Sequence, residues 1–236
     1  MPSMRLQKYL AQAGILSRRE AELAISNGWI MVNGIPAVVG QPIDPDTDQV
    51  DWSQVLSRTN PGVIAFHKPR GVVTNCPVDA EIDIQQLLPS EYRSFSSIGR
   101  LDKESEGLIL LTNSGVIAKQ ALRQDNPHWR EYLVWTNRPI TTDCVSELEA
   151  GMVILAMKVR PVQIDLLGER YCKIRMNEGK NRQIRRMMQK VGLGVVRLKR
   201  IAFGPIFLDN LSKGKYRKLT NKEVRLLEGE AGYPGG

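Results

Sequence analysis

Residues 96 to 115, SSIGRLDKESEGLILLTNSG, set five charged side chains directly before and into a run of Leu and Ile: Arg100, Asp102, Lys103, Glu104 and Glu106. Arg100 and Asp102 stand two apart in a glycine-bounded segment. The segment lies between a strand expected at SFSSIG and another at LILLTN, a placement that suits a functional turn. A carboxylate beside a guanidinium is either a surface salt bridge or the centre of a reaction, and the pair alone does not choose. Lys103, Glu104 and Glu106 are expected to face solvent.

A second group lies some eighty positions on. Lys180, Arg182, Arg185, Arg186, Lys190, Arg197, Lys199 and Arg200 follow one another between Gly179 and Arg200 with no Asp or Glu among them. In NRQIRRMMQKVG, helical spacing puts Ile184, Met187, Met188 and Val191 on one side and Arg182, Arg185, Arg186 and Gln189 roughly opposite. A solvated helix face normally mixes signs through Glu-Lys pairs, so this one favours a phosphate or carboxylate partner over plain solvent. Arginine suits forked contact with either group.

Metal chemistry has little to work with. His67 and His128 are the only histidines, and Cys76, Cys144 and Cys172 are odd in number and far apart. That spacing offers neither a zinc pair nor a disulfide framework, and free thiols are expected.

The 236 residues are 42% hydrophobic and 25% charged, as in a globular protein with a sizeable core. No apolar run approaches the ~20 residues of a membrane span. The start of the chain lacks the apolar core of a secretory signal, so a cytoplasmic location is expected. The net charge of +8 points toward a polyanionic partner.

Several elements must carry these groups. MRLQKYLAQAG spaces Leu6, Tyr9, Leu10 and Ala13 as an amphipathic helix ending at Gly14. SRREAELAISNG follows, with Ser17 and Glu20 spaced as a capping box, Ala21, Ala24 and Ile25 inward, and Asn27-Gly28 as its stop. Arg18 and Arg19 then sit in a first turn, where the helix dipole disfavours cations, and an outside anion such as a phosphate backbone would offset the cost. WIMVNGIPAVVG reads as a hairpin turning on Asn33-Gly34 with Pro36 on an edge strand. Residues 1–50 are expected to form one small domain, 51–62 a linker, and 63–236 a larger α+β domain. Its sheet, mixed or antiparallel, takes strands from VIAFHK, LILLTN, EYLVW and CKIRM.

GRLDKESEGLILLTNSG, REYLVW and EGKNRQIRRMMQKVG...VVRLKRIAFG, in that order, resemble the RsuA/RluB/RluE/RluF family of bacterial ribosomal RNA pseudouridine synthases. The preceding RLQKYLAQAGILSRREAELAISNGWIMVNG is similar to the S4 RNA-binding domain those enzymes carry. REYLVWTNRPIT, GMVIL and NRQIRRM resemble the RluF-like branch in particular. Two positions depart from the family's usual pattern: His67 in FHKPRG, where Asn is usual, and Arg130 in WREY, where Lys is common.

The resemblance implies a small α-L, S4-like domain followed by a synthase domain with a mixed, mainly antiparallel sheet. It also implies isomerisation of uridine to pseudouridine in ribosomal RNA, 23S rRNA favoured, by a monomer using no cofactor and no metal, on free RNA or on pre-ribosomal particles. Asp102 corresponds to the catalytic aspartate, acting as nucleophile at the sugar or as base on a sugar proton. Arg185 matches its basic partner and Tyr132 the aromatic that stacks on uracil. Arg100 matches the arginine beside the acid, for filling the vacated stack or for phosphate contact. Arg182 and Arg186 are assigned to substrate binding, Leu198 to an apolar wall under the base, and Arg5, Lys8, Arg18 and Arg19 to RNA phosphates. Taken alone, Tyr132 reads as a core aromatic of a strand and only the resemblance reverses that, whereas Leu198 reads equally as strand core. Rival readings are a non-catalytic RNA-binding or ribosome-assembly factor, a synthase acting on 16S rRNA or tRNA, and, far behind, a nucleoside glycosidase, which lacks a placed second carboxylate.

Overall fold

The computed structural model describes residues 3–229 apart from 14, 59–61, 76, 79, 124 and 126. Two compact units divide the chain. One runs to Gly62 and takes in Thr112–Gln120; the other comprises Val63–Leu111 and the residues from Ala121 onward.

The first unit contains β1 (Met4–Arg5), α1 (Leu6–Gln12), α2 (Arg18–Ser26), β2 (Met31–Val32), β3 (Ile35–Pro36), β4 (Pro42–Ile43), β5 (Val50–Asp51) and α3 (Ser53–Arg58). The reciprocal capping box forms: Ser17 N–H donates to Glu20 at 2.6 Å and Glu20 N–H to Ser17 Oγ at 3.3 Å. Asn33 and Gly34 both take positive φ, 52° and 77°, as a two-residue hairpin turn requires, and Pro36 lies on the edge of the β3-β2-β5 sheet. The α1 stripe differs from its spacing. Leu6, Gln7 and Leu10 are buried, whereas Ala13 caps the seven-residue helix and is exposed, because the helix ends before that turn closes. Gly14 lies outside the described residues. The span expected as a linker holds α3.

The remaining elements are β6 (Val63–Lys68), β7 (Ser96–Ile98), β8 (Glu106–Thr112), α4 (Gly115–Ala121), β9 (Arg130–Thr136), α5 (Thr142–Glu149), β10 (Val153–Ile154), β11 (Met157–Lys158), β12 (Gln163–Gly168), β13 (Tyr171–Met176), α6 (Gln183–Lys190), β14 (Val195–Phe203), β15 (Ile206–Phe207), β16 (Tyr216–Lys218) and α7 (Asn221–Glu228). The sheet order is β12-β13-β9-β14-β8-β6-β16; β14 runs parallel to β8 and antiparallel to β9. The fold is α+β with a mixed, mainly antiparallel sheet. Strands β6 and β8 are buried at every position, as strands covered on both faces are.

Period-2 alternation along β9, β13 and β14 puts Tyr132, Val134, Cys172, Ile174, Leu198 and Arg200 on one face, since Tyr132 pairs with both Ile174 and Arg200. The apolar side of α6, Ile184, Met187 and Met188, joins the same core. At Gly107 strand β8 lies close against β14: its φ is 107°, and a Cβ there would come within 2.2 Å of the Arg200 carbonyl oxygen.

No helix among the described residues is long and apolar enough to cross a membrane. Cys172 is buried, its thiol pushed up to about 11 by burial, and Cys144 is half-buried; Cys76 lies outside the described residues. Neither histidine faces a cluster of metal-ligating side chains among the described residues. His67 Nδ1 lies 2.7 Å from the Leu211 carbonyl oxygen and His128 Nε2 2.7 Å from that of Leu227.

Candidate active site

Asp102 follows β7 in the loop that leads into β8, and the turn is fixed by a bond from Ser105 N–H to the Asp102 carbonyl at 3.0 Å. Its half-buried side chain lines a cleft of about 280 Å³ in the second unit. Tyr132 from β9, Leu198 from β14 and Ile184 from α6 form apolar walls, and Arg100, Lys180 and Arg182 supply cations. Tyr132 is 8% exposed and Leu198 6%, so what remains accessible of each opens into the cleft. Both are core residues of the sheet and cleft walls at once.

Arg182 caps α6 in the left-handed region, φ 51°, an uncommon conformation for arginine and a sign of local constraint. Its Nη1 donates to Glu104 at 2.7 Å. The acid that the arginine stripe lacks in its own sequence is therefore delivered by the Asp102 loop. Hydrogen bonding from Arg182 holds the Glu104 carboxyl below its usual range. Glu104 is exposed, in keeping with its expected solvent position, yet it is paired.

Arg185 reaches the same loop by another route. Nη2 donates to the Glu104 carbonyl at 3.1 Å and Nη1 to the Val195 carbonyl at 3.2 Å, and no direct ion pair with Asp102 forms. Burial and the neighbouring Arg182 push the Arg185 guanidinium below its usual value, while Glu104 and Asp102 oppose them. Arg186 instead donates to Asn181 at 2.9 Å, and Arg100 is exposed at the cleft. In the first unit, Arg5, Lys8, Arg18 and Arg19 are all exposed.

Two side chains, one behind the cleft and one lining it, escaped the sequence reading. Lys68 ends β6 with no exposure; its Nζ donates to the carbonyls of Pro69 at 3.0 Å and Val72 at 2.5 Å. Burial lowers its pKa to about 8, with Arg200 adding to the effect and the charge of Asp102 opposing it. The available signal was a lysine closing the strand-like run VIAFHK, which is apolar up to His67. Ser105 lines the cleft, 1% exposed, with an Oγ that has no hydrogen-bond partner among the described residues. Glu106 corrects an expectation. It is 3% exposed rather than solvent-facing, and is held by Arg197 and, at 3.0 Å, by Lys213. Burial raises its pKa, but the hydrogen bonds from Lys213 and Arg197 outweigh that and leave it lowered.

The arrangement offers a carboxylate without a hydrogen-bond partner among the described residues, between an aromatic wall and a cationic rim. It suits chemistry on a planar ring attached to a phosphate-bearing chain.

Comparison with known proteins gives the same direction. The family model for RNA pseudouridylate synthase matches residues 62–190, and that for the S4 domain residues 4–48. The Escherichia coli K12 protein called dual-specificity RNA pseudouridine synthase RluF is 35% identical over 225 residues, covering 94% of this chain and 77% of the relative. Uncharacterized RNA pseudouridine synthase YtzG of Bacillus subtilis strain 168 is 33% identical, covering 95% of this chain and 98% of the relative. Ribosomal large subunit pseudouridine synthase B of Pseudomonas aeruginosa is also 33% identical, covering 97% and 62%. A crystal structure of a pseudouridylate synthase superposes with a TM-score of 0.71 at 26% identity, covering 95% of this chain and all of that one.

Proposed function

The chain belongs to the RNA pseudouridylate synthase family and carries an S4 domain, and from that premise we propose that it isomerises a uridine of ribosomal RNA, in the large-subunit 23S rRNA, with Asp102 as the catalytic carboxylate. The large-subunit target rests on the name of the Pseudomonas relative, and the words "dual-specificity RNA" in the Escherichia coli relative's name keep other RNAs in the test.

The observation that carries the catalytic assignment is the Asp102 carboxylate in the cleft formed by Tyr132, Leu198 and Arg182. In the isomerisation the N1–C1′ glycosidic bond breaks, the uracil turns, and a C5–C1′ bond forms; the C5 proton is lost and N1 gains one, so composition is unchanged. Asp102 acts at the sugar, as nucleophile on C1′ or as base toward a sugar proton. The Tyr132 ring packs against uracil without fixing its rotation, which suits a base that must turn before reattachment. Leu198 supplies the apolar wall on which the extracted base rests. Arg100, Arg182 and Arg186 hold phosphates, and Arg185 acts through the loop it anchors. Arg5, Lys8, Arg18 and Arg19 bind RNA phosphates and carry no base selectivity of their own.

The test maps pseudouridines in 23S rRNA, 16S rRNA and tRNA from cells with and without the gene, rescued by wild type or by Asp102→Asn. The expected result is loss at a 23S position restored by wild type alone. Rescue by the Asn variant removes Asp102 from the chemistry, and a lost site outside 23S rRNA reassigns the target.

A further inference from the structure

A second cleft, of about 340 Å³, lies beside the first and shares Gly179 and Lys180 with it. Its volume falls in the range of small-ligand sites, roughly 300–1,000 Å³. Four of its lining residues are cations, Arg123, Arg130, Arg160 and Lys180, against one carboxylate, Glu178. Arg123 is already engaged by the Asp125 carboxylate. Glu178 Oε1 is likewise occupied, accepting the Arg160 backbone N–H at 2.8 Å and Gln183 Nε2 at 2.6 Å. Lys180 donates to the Lys158 carbonyl at 2.6 Å, which leaves two of its three donors. The side chains of Arg130, Arg160 and Lys180 form no ion pair with a described residue, so three positive charges share one concavity with a single carboxylate, Glu178, that pairs with none of them.

Arg130 is the most constrained of the three. It is half-buried, with Nη1 on the His128 carbonyl at 3.2 Å and its guanidinium 4.9 Å from the Phe203 ring centroid. Burial pushes its guanidinium below the usual value, with Tyr132 opposing the shift and the neighbouring cation Arg200 adding to it. A guanidinium does not shed its proton, so removing one from water beside a like charge costs free energy that an arriving anion offsets. Fixed rigidly by ring and carbonyl, it presents its remaining donors as a preformed fork.

We infer that this second cleft holds the phosphodiester of a nucleotide flanking the target uridine, with Arg130 gripping from within and Arg160 and Lys180 at the opening. The inference rests on the adjoining cleft being the uridine site. The shared Gly179-Lys180 wall would then separate base from flanking phosphate. Such an interaction fixes register along the strand without reading sequence.

The test measures the affinity of unmodified 23S rRNA transcript across a salt series for wild type, the double variant Arg130→Gln/Arg160→Gln and Arg130→Lys, with circular dichroism confirming the fold. The double variant should bind about tenfold more weakly, with a slope of log affinity against log salt shallower by roughly 0.7–0.9 for each phosphate that is no longer neutralised. Arg130→Lys should recover most of the slope. A folded double variant with the wild-type slope overturns the inference, as does a Lys variant that behaves like Gln, since Arg130 would then act through packing alone. The same transcript, mapped after incubation with wild type, separates the two readings: pseudouridine formed alongside an unchanged slope removes only the flanking site. No pseudouridine in 23S rRNA, 16S rRNA or tRNA removes the uridine site and this inference together.

Discussion

Arg185 donates to the carbonyl oxygen of Glu104 at 3.1 Å, so the α6 arginine holds the backbone two residues beyond Asp102 rather than the carboxylate itself. Its other terminal nitrogen ties the same guanidinium to Val195 at the start of β14. One planar side chain thus links the aspartate loop, the helix and the strand that carries Leu198. The charges of Glu104 and Asp102 in turn oppose the lowering that burial imposes on this guanidinium.

Arg185→Gln should therefore slow pseudouridine formation more than it weakens RNA binding. Without the fork the loop relaxes, and displacement of a reacting group by about 1 Å can cost on the order of 10²-fold in rate. Arg185→Lys keeps the charge but reaches only one of the two carbonyls, so it should fall between wild type and the Gln variant. Single-turnover rates on 23S rRNA transcript at saturating enzyme are the measurement. A Gln variant with the wild-type rate would show that the tether has no part in catalysis.

Gly107→Ala should damage stability and activity together. The added Cβ meets the backbone oxygen and nitrogen of Arg200 at 2.2 and 2.7 Å, and neither can rotate away. The left-handed φ adds strain of its own, so a loss of about 2–5 kcal/mol in urea unfolding is expected. Because the yielding strand carries Leu198 into the cleft, activity should fall even where the variant remains folded. A variant as stable as wild type would mean that β8 and β14 are not held this close.

Much of this frame is legible in the sequence because it depends on local rules. The Ser17–Glu20 box, the Asn33-Gly34 turn and the Ile184, Met187, Met188 stripe each need only spacing and side-chain type, and each forms. What escapes is set by partners distant in the chain. Glu106 looks like one more loop acid until β14 brings Arg197 beside it and the loop before β16 brings Lys213. Lys68 is hidden for the same reason: the apolar residues before it hint at burial, but the charges around it, Asp102, Arg200 and Glu106, come from distant segments. The Arg182–Glu104 pair is a long-range fact too: a helix face with no acid of its own obtains one from seventy-eight positions earlier.

Lys68 leads to a pH prediction whose sign is fixed by its lowered pKa. Between about pH 8 and 10.5 the unfolded chain keeps this lysine protonated while the folded chain does not, so wild-type stability gains with rising pH. Below pH 8 both states hold the proton and the burial penalty is fully present. Lys68→Met lacks the titration. The unfolding free energy of wild type minus that of the variant should therefore rise by about 3 kcal/mol across that window, as read from urea curves at fixed ionic strength. A flat difference would mean that the ammonium is not desolvated in the folded protein.

Arg18 and Arg19 give the last prediction, which concerns the first unit alone. Both are exposed in the first turn of α2, where Glu20 is committed to the capping box through Ser17 N–H. The helix dipole disfavours cations at that end, so these arginines contribute little to folding, and an RNA phosphate would relieve the mismatch. Arg18→Gln/Arg19→Gln should leave thermal stability within about 0.5 kcal/mol of wild type, or raise it slightly, since surface changes of this kind are small. Binding to 23S rRNA transcript should weaken, and the slope of log affinity against log salt should drop by roughly 0.7–0.9 for each phosphate these arginines neutralise. Equal affinity and equal slope in the double variant would exclude this helix end from RNA docking.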